Sequence, residues 1–216
     1  MPPQAVCFDF NGTLSHDEPI MCEIFVELFA ELGLPLSAQQ YFDELAGLSD
    51  PQIVRTWLGP DHPAVDAVIA ERIRRYQAMV GDGSTVTAEV RAAVRYAAER
   101  APILVVSGAA REEIVPVLDA AGLLTLFAAI VSCDDVIDGK PSPEGYLMAL
   151  ALLGDGIAAP DVIAFEDTEA GIAAAKSAGM RCVAVLGTLV PERLAAAYEI
   201  VPALDVALME RVFKTP

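Results

Sequence analysis

Asp9-Phe10-Asn11-Gly12-Thr13-Leu14 sets a carboxylate directly after the apolar run Ala5-Val6-Cys7-Phe8, where the chain turns at glycine. The run reads as a buried strand, and in open α/β sheets ligands bind at the carboxyl ends of strands. The chemistry open to such a carboxylate is ligand or metal binding; the plain alternative is a strand end capped by an Asx/Gly turn. A calcium loop of the EF-hand type is excluded, because the repeated oxygen ligands and the closing Glu are absent. Three other stretches carry comparable groups. Ser107-Gly108 follows Pro102–Val106, Glu166-Asp167 follows Val162–Phe165, and Lys140 sits in the rigid loop Asp138-Gly139-Lys140-Pro141-Ser142-Pro143. Lysine is otherwise found only at positions 176 and 214. The loop is not a P-loop, since the upstream glycine is missing and Pro follows the Lys. Taken singly, Lys140 reads as a surface loop residue and Ser107 as the N-cap of a helix.

The elements around these groups decide whether they meet. Apolar residues at Ile20, Ile24, Leu28 and Leu32 form a helical stripe over 17–33, with Pro19 in the first turn and Gly33 at the C-cap. Ser37 opens a helix through Ala46, Asp50-Pro51 one ending near Leu58-Gly59, and Asp61 one running to about Val80. Gly81-Asp82-Gly83-Ser84 is a hinge-like linker. Beyond it the rhythm alternates. Helices are expected over 87–100, 111–121, 143–153 and 168–178, and strands over 102–106, 128–132, 162–165 and 182–186. Alternation of this kind implies a parallel sheet with right-handed crossovers. The strand 5–8 joins that sheet, because an all-helical segment offers it no partner. The expected architecture is α/β: a Rossmann-like, doubly wound parallel sheet with an inserted four-helix cap. Residues 1–15 and 82–216 make the core, and 16–81 the cap. All four polar strand ends then share one edge, and acids, a hydroxyl, a glycine and a lone Lys meet in one crevice.

Composition narrows the partners. Thirty-one acids against 14 bases give a formal net charge of −17, which argues against nucleic acid or an anionic membrane, since both call for clustered Lys and Arg. No apolar run reaches the roughly 18 residues of a membrane span, and the N-terminus lacks the layout of a signal peptide. A soluble, cytoplasmic protein is expected. Cys7, Cys22, Cys133 and Cys182 form no C-x-x-C pair, and no His stands at zinc-ligand spacing; they read as reduced, mostly buried thiols.

The chain resembles the haloacid dehalogenase superfamily of phosphotransferases over nearly its whole length. The resemblance rests on the Asp9–Leu14 opening, Ser107, Gly139-Lys140-Pro141-Ser142-Pro143 and Phe165-Glu166-Asp167-Thr168-Glu169-Ala170-Gly171-Ile172, closing at Ala178-Gly179-Met180. With the helical insertion, the subgroup resembled holds phosphoglycolate-type phosphatases, β-phosphoglucomutases and phosphonatases. The resemblance implies a Mg²⁺-dependent phosphohydrolase acting on a small phosphorylated metabolite, as a monomer or homodimer. Asp9 would be the nucleophile and form an aspartyl-phosphate. Asp9, the backbone carbonyl of Asn11 and Asp167 would hold Mg²⁺, with Glu166 as a further ligand or support. Ser107 would donate to a phosphoryl oxygen, with Thr13 and Gly108 also on the phosphate side, and Lys140 would pair with Asp9 and the phosphate.

One residue departs from the pattern. Where these phosphatases and mutases carry the Asp that protonates the leaving oxygen and activates water, this chain has Asn11. An amide hydrogen-bonds but does not exchange protons near pH 7, and general acid–base help is typically worth about 10²–10⁴ in rate. Several accounts stay open. The chain is a slow phosphatase, or one suited to good leaving groups; it is a non-catalytic phosphate-binding or regulatory relative; it draws a base from His16, Asp17 or Glu18; or Asn11-Gly12 deamidates to give some Asp. An engineered substitution is a further account. Phosphonatase chemistry is excluded, because 16–81 holds no Lys for a Schiff base, and mutase chemistry is disfavoured by Asp50 after Gly47-Leu48-Ser49, where mutases carry Arg. The cap should set substrate choice, with His16, Arg55 and Trp57 as its candidates. Arg72, Arg74 and Arg75 read as a solvated face.

Overall fold

The computed structural model describes residues 2–214. Six strands form one sheet: β1 Ala5–Phe8, β2 Ile103–Val106, β3 Ala129–Val131, β4 Val162–Glu166, β5 Arg181–Val185 and β6 Glu199–Val201. Every pairing is parallel and the order is β3-β2-β1-β4-β5-β6. β1 is therefore central, with Phe8 opposite Val105 on one side and Phe165 on the other. The order reverses direction between β1 and β4, and the crevice at that switch is where such sheets bind ligands.

Strand alternation divides the apolar residues between two layers. Val6, Phe8, Ile103, Val105, Ile163 and Phe165 face one, and Ala5, Cys7, Leu104, Val106, Val162 and Ala164 the other. The first layer is closed by α5 (Ala88–Ala98), α6 (Arg111–Ala120) and α9 (Val206–Lys214). The second is closed by α7 (Glu144–Leu153) and α8 (Glu169–Ser177). The Phe8 and Phe165 rings stack 5.4 Å apart, fixing the two strands that carry the acidic edge. β6 and α9 have no counterpart in the sequence expectations, which end at 186.

Between β1 and α5 the described residues hold no strand. They form α1 (Glu18–Glu31), α2 (Ala38–Gln40, continued by a π-helical turn at Tyr41–Leu45), α3 (Asp50–Leu58) and α4 (Val65–Val80). The buried face of α1 is rotated from the expected stripe. Met21, Ile24, Phe25, Leu28 and Phe29 are buried while Leu32 is exposed. The reason is aromatic: Phe25 stacks on Tyr41 and Phe29 on Trp57.

Arg72 corrects a second expectation. Arg74 and Arg75 do lie on the surface, held by Glu71, Glu27 and Glu31, but Arg72 is fully buried. Its guanidinium pairs with Asp50 of α3 at 3.1 Å and with Glu113 of α6, and lies over the rings of Phe25 and Tyr76. The cluster joins two helices of the insertion to the core. The two chain crossings between insertion and core are also tied together, by Ser15 Oγ and Thr85 Oγ1 at 2.6 Å and by the His16 amide donating to the Thr85 carbonyl at 2.9 Å. No helix among the described residues is long and apolar enough to cross a membrane. The four cysteines are free thiols.

Candidate active site

Asp9, at the end of β1, is buried, and Lys140 Nζ donates to its Oδ1. The same ammonium lies 2.6 Å from Glu166 Oε1 at the end of β4, which also accepts from the Tyr146 hydroxyl at 2.5 Å. Asp167 accepts from the Thr188 hydroxyl and, at 3.5 Å, from Thr13 Oγ1. Gly12 makes this approach possible: its φ is +73°, and a Cβ there would overlap the Asp167 carboxylate. Ser107 follows β2 and its Oγ accepts from the Ala109 amide at 3.1 Å, which leaves its proton free to donate.

These groups share one crevice. Asp9, Asn11, Ser107, Gly108, Lys140 and Asp167 line it from the core. The insertion closes it with Glu18 and Met21 of α1, Tyr41, the Gly47-Leu48 turn, and Asp50 and Ile53 of α3. Gly47 has φ +88° and sits against Thr168, so close that a Cβ would meet the threonine side chain. Thr13 lies just behind, wholly buried. His16 and Arg55, named from sequence for the substrate side, are exposed and do not line the crevice. α3 turns Ile53 and Val54 inward, so Arg55 faces out.

Three carboxylates, Asp9, Glu166 and Asp167, each offer an oxygen within 4.8 Å of the others. One ammonium is too little charge for three buried acids. Burial raises Asp9 against the opposing pull of Lys140, raises Glu166 to about 7, and raises Asp167 well above the carboxylate range with help from Asp9, Glu18 and Glu166. Glu166 Oε2 has no hydrogen-bond partner. An all-oxygen, over-acidic donor set with an orphaned oxygen suits a hard divalent cation. Lys140 stays charged: burial alone would lower it, but Asp9 and Glu166 hold it above its ordinary value.

Asn11 is held in place. Its Nδ2 donates to Asp17 Oδ2 at 3.1 Å, and Asp17 also accepts from the Tyr76 hydroxyl of α4 and, at 3.4 Å, from the Gly12 amide. Asp17 is fully enclosed, and burial raises it although four hydrogen-bonding neighbours oppose the shift. Glu18 differs, since it lines the crevice and takes a 2.9 Å hydrogen bond from Tyr41. Burial, then Asp17, push it from 4.5 to about 7; Asp9 adds to this, while Tyr41 and Arg72 oppose it. A carboxyl raised by the fold favours the fold when protonated, so its contribution is full below about pH 4.5 and lost as pH rises through 7. In chelator, wild type should therefore lose up to about 3 kcal/mol of stability relative to Glu18→Gln between pH 4.5 and 7.5. Denaturant titrations at the two pH values measure this, and parallel curves would refute the shift.

Sequence reasoning missed Tyr146, Thr188 and Tyr76, which support the acids from helices and a loop that carry no local motif.

A profile of the haloacid dehalogenase-like hydrolases matches residues 6–185. The validoxylamine A 7'-phosphate phosphatase of Streptomyces hygroscopicus subsp. limoneus is 32% identical over 205 residues, covering 88% of this chain and 89% of that protein. The phosphoglycolate phosphatase of Yersinia pseudotuberculosis serotype I is 28% identical, covering 83% and 79%. Among solved structures, an Asp-to-Asn mutant of CbbY from Rhodobacter sphaeroides in complex with xylulose-(1,5)bisphosphate superposes with TM-score 0.83 at 24% identity, over 94% of this chain and 95% of that one. The β-phosphoglucomutase of Clostridium difficile gives TM-score 0.83 at 20% identity, over 98% and 97%. The two structures bear on the fold alone.

Proposed function

The chain belongs to the haloacid dehalogenase-like hydrolases and is a hydrolase of the phosphatase type; on that footing we propose that it cleaves a small phosphate monoester with Mg²⁺, carrying the phosphoryl group transiently on Asp9. The observation that carries the reading is the buried contact of Asp9 with Lys140 in a crevice that also holds Asp167 and Ser107. A carboxylate oxygen of Asp9 attacks phosphorus, the bond to the leaving oxygen breaks, and water then attacks the phosphorus of the aspartyl-phosphate to return the carboxylate. Lys140 offsets charge at Asp9 and at the phosphoryl oxygens, and Ser107 donates to one of them. Asp9, Asp167 and the Asn11 carbonyl would hold Mg²⁺, with Glu166 beside them; when bound, the ion supplies positive charge to the phosphoryl oxygens. The insertion excludes water from the crevice.

Proton exchange falls to Glu18. Asn11 cannot supply it, the His16 side chain is outside the crevice, and the acceptors of Asp17 are occupied. Glu18 lines the crevice and titrates near neutrality, where a group can both give and take a proton. Purified protein with Mg²⁺ should be assayed on alkyl and aryl phosphates alongside Glu18→Gln. The variant should lose about 10²–10⁴ on alkyl esters, whose alkoxide needs a proton, and far less on aryl esters, whose phenolate does not. Equal losses on the two classes, or none, would remove Glu18 from the role. Asn11→Asp in the same panel should chiefly raise the alkyl rates, and an intact mass of the wild type checks deamidation.

The second reading, a phosphate-binding or regulatory protein without turnover, rests on Asn11 alone. Turnover by mass-verified Asn11 protein, lost in Asp9→Ala, would overturn it. The relatives' own substrates, validoxylamine A 7'-phosphate and phosphoglycolate by their names, differ in chemistry and do not choose this chain's substrate.

A further inference from the structure

The side of the crevice that meets the alcohol part of an ester is built without a usable cation. Glu18 and Asp50 stand there as acids, Met21, Leu48 and Ile53 as apolar surface, and Tyr41 spends its proton on Glu18. Among the described residues lining the crevice, Lys140 is the one cation, and it lies on the core side against Asp9 and Glu166. The insertion's own cations are turned away or committed. Arg55 and His16 are exposed, and Arg74 and Arg75 pair with surface acids. Arg72 is fully buried behind Asp50, one guanidinium shared by two carboxylates, Asp50 and Glu113.

Resting on the phosphatase reading of the same crevice, we propose that its substrate is the monophosphate of a polyhydroxylated skeleton, neutral or amine-bearing, with no second anion. Hydroxyl and ammonium groups donate hydrogen bonds, and Glu18 and Asp50 accept them; the C–H face of a ring suits Met21, Leu48 and Ile53. A carboxylate or second phosphate at that depth meets two acidic side chains and no free cation, so its acceptors go without a positive partner in a site shielded from water, an arrangement that discriminates strongly. Asp50 carries the selectivity furthest, because removing its charge leaves Arg72 balanced by Glu113 alone and takes the net negative charge off that wall of the crevice.

The test uses sugar phosphates of similar length: glucose 6-phosphate, glucosamine 6-phosphate, 6-phosphogluconate and fructose 1,6-bisphosphate. Titration calorimetry on Asp9→Asn with Mg²⁺ reads affinity without chemistry, and kcat/KM on the wild type reads turnover. The neutral and amine-bearing esters should be preferred at least tenfold over the two esters that carry a second anionic group in both readouts. Asp50→Asn should shrink that ratio by raising the affinity for 6-phosphogluconate. Equal or better binding of 6-phosphogluconate or the bisphosphate to Asp9→Asn overturns the proposal, as does a failure of all four to bind. The phosphatase reading is judged separately, by hydrolysis of an aryl phosphate by the wild type. An inert wild type whose Asp9→Asn form still ranks the esters this way sinks that reading and keeps the charge selectivity.

Discussion

Asp9→Ala should abolish hydrolysis of alkyl and aryl phosphates alike, lowering kcat by at least about 10⁴-fold. The breadth follows from the position of the residue. On the proposed mechanism Asp9 carries the phosphoryl group covalently, so its removal should affect both classes of leaving group, whereas Glu18→Gln should separate them. The fold should survive, because the alanine removes one of three crowded buried acids and leaves β1 paired on both sides. Asp9→Ala should also weaken the response to Mg²⁺, seen as a smaller rise of Tm on adding the ion. A variant within tenfold of wild type on either ester class would show that another group carries the phosphoryl.

Lys140→Met should have the largest effect on stability. The ammonium lies against Asp9 and Glu166, nearly excluded from water, and its loss leaves those acids buried without a counter-charge. Breaking a buried pair by removing one partner typically costs about 3–5 kcal/mol. The pH dependence is specific. Burial already raises both carboxyls, and without Lys140 they rise further, so protonation relieves the variant. Its deficit should be greatest near pH 8 and shrink toward pH 5, and Mg²⁺ should recover part of it at pH 8. Denaturant unfolding of both proteins with chelator and with Mg²⁺ measures this. A pH-independent deficit would mean that lost packing, not charge, is the cause.

The strand ends were legible in the sequence because each is a short apolar run that stops at polar residues, and alternation with helices brings parallel strand ends to one edge. Asp9, Ser107, Lys140 and Glu166-Asp167 could therefore be assembled without coordinates. Arg72 was misjudged because its neighbours Arg74 and Arg75 suggested a wet face. Yet Val65, Val68, Arg72, Tyr76 and Val80 fall at helical spacing and are all buried; the arginine lies in the apolar stripe of its own helix. Its partners Asp50 and Glu113 lie far away in sequence on other helices, where no local pattern reaches. β6 and α9 escaped because a three-residue strand gives periodicity nothing to repeat. Arg55 and His16 were named for their chemical types, and packing, not type, decides which way they point.

The stitch between Ser15 and Thr85 has a mechanical consequence. With both crossings pinned side by side and the Arg72 cluster clamping α3 and α4 onto α6, the segment between β1 and α5 is held to the sheet layers at two separate places. Asp17 and Asn11 sit beside the paired crossings, and the Gly47 turn rests against Thr168 on the other side of the crevice. A turn anchored in this way should hold its shape when the crevice fills.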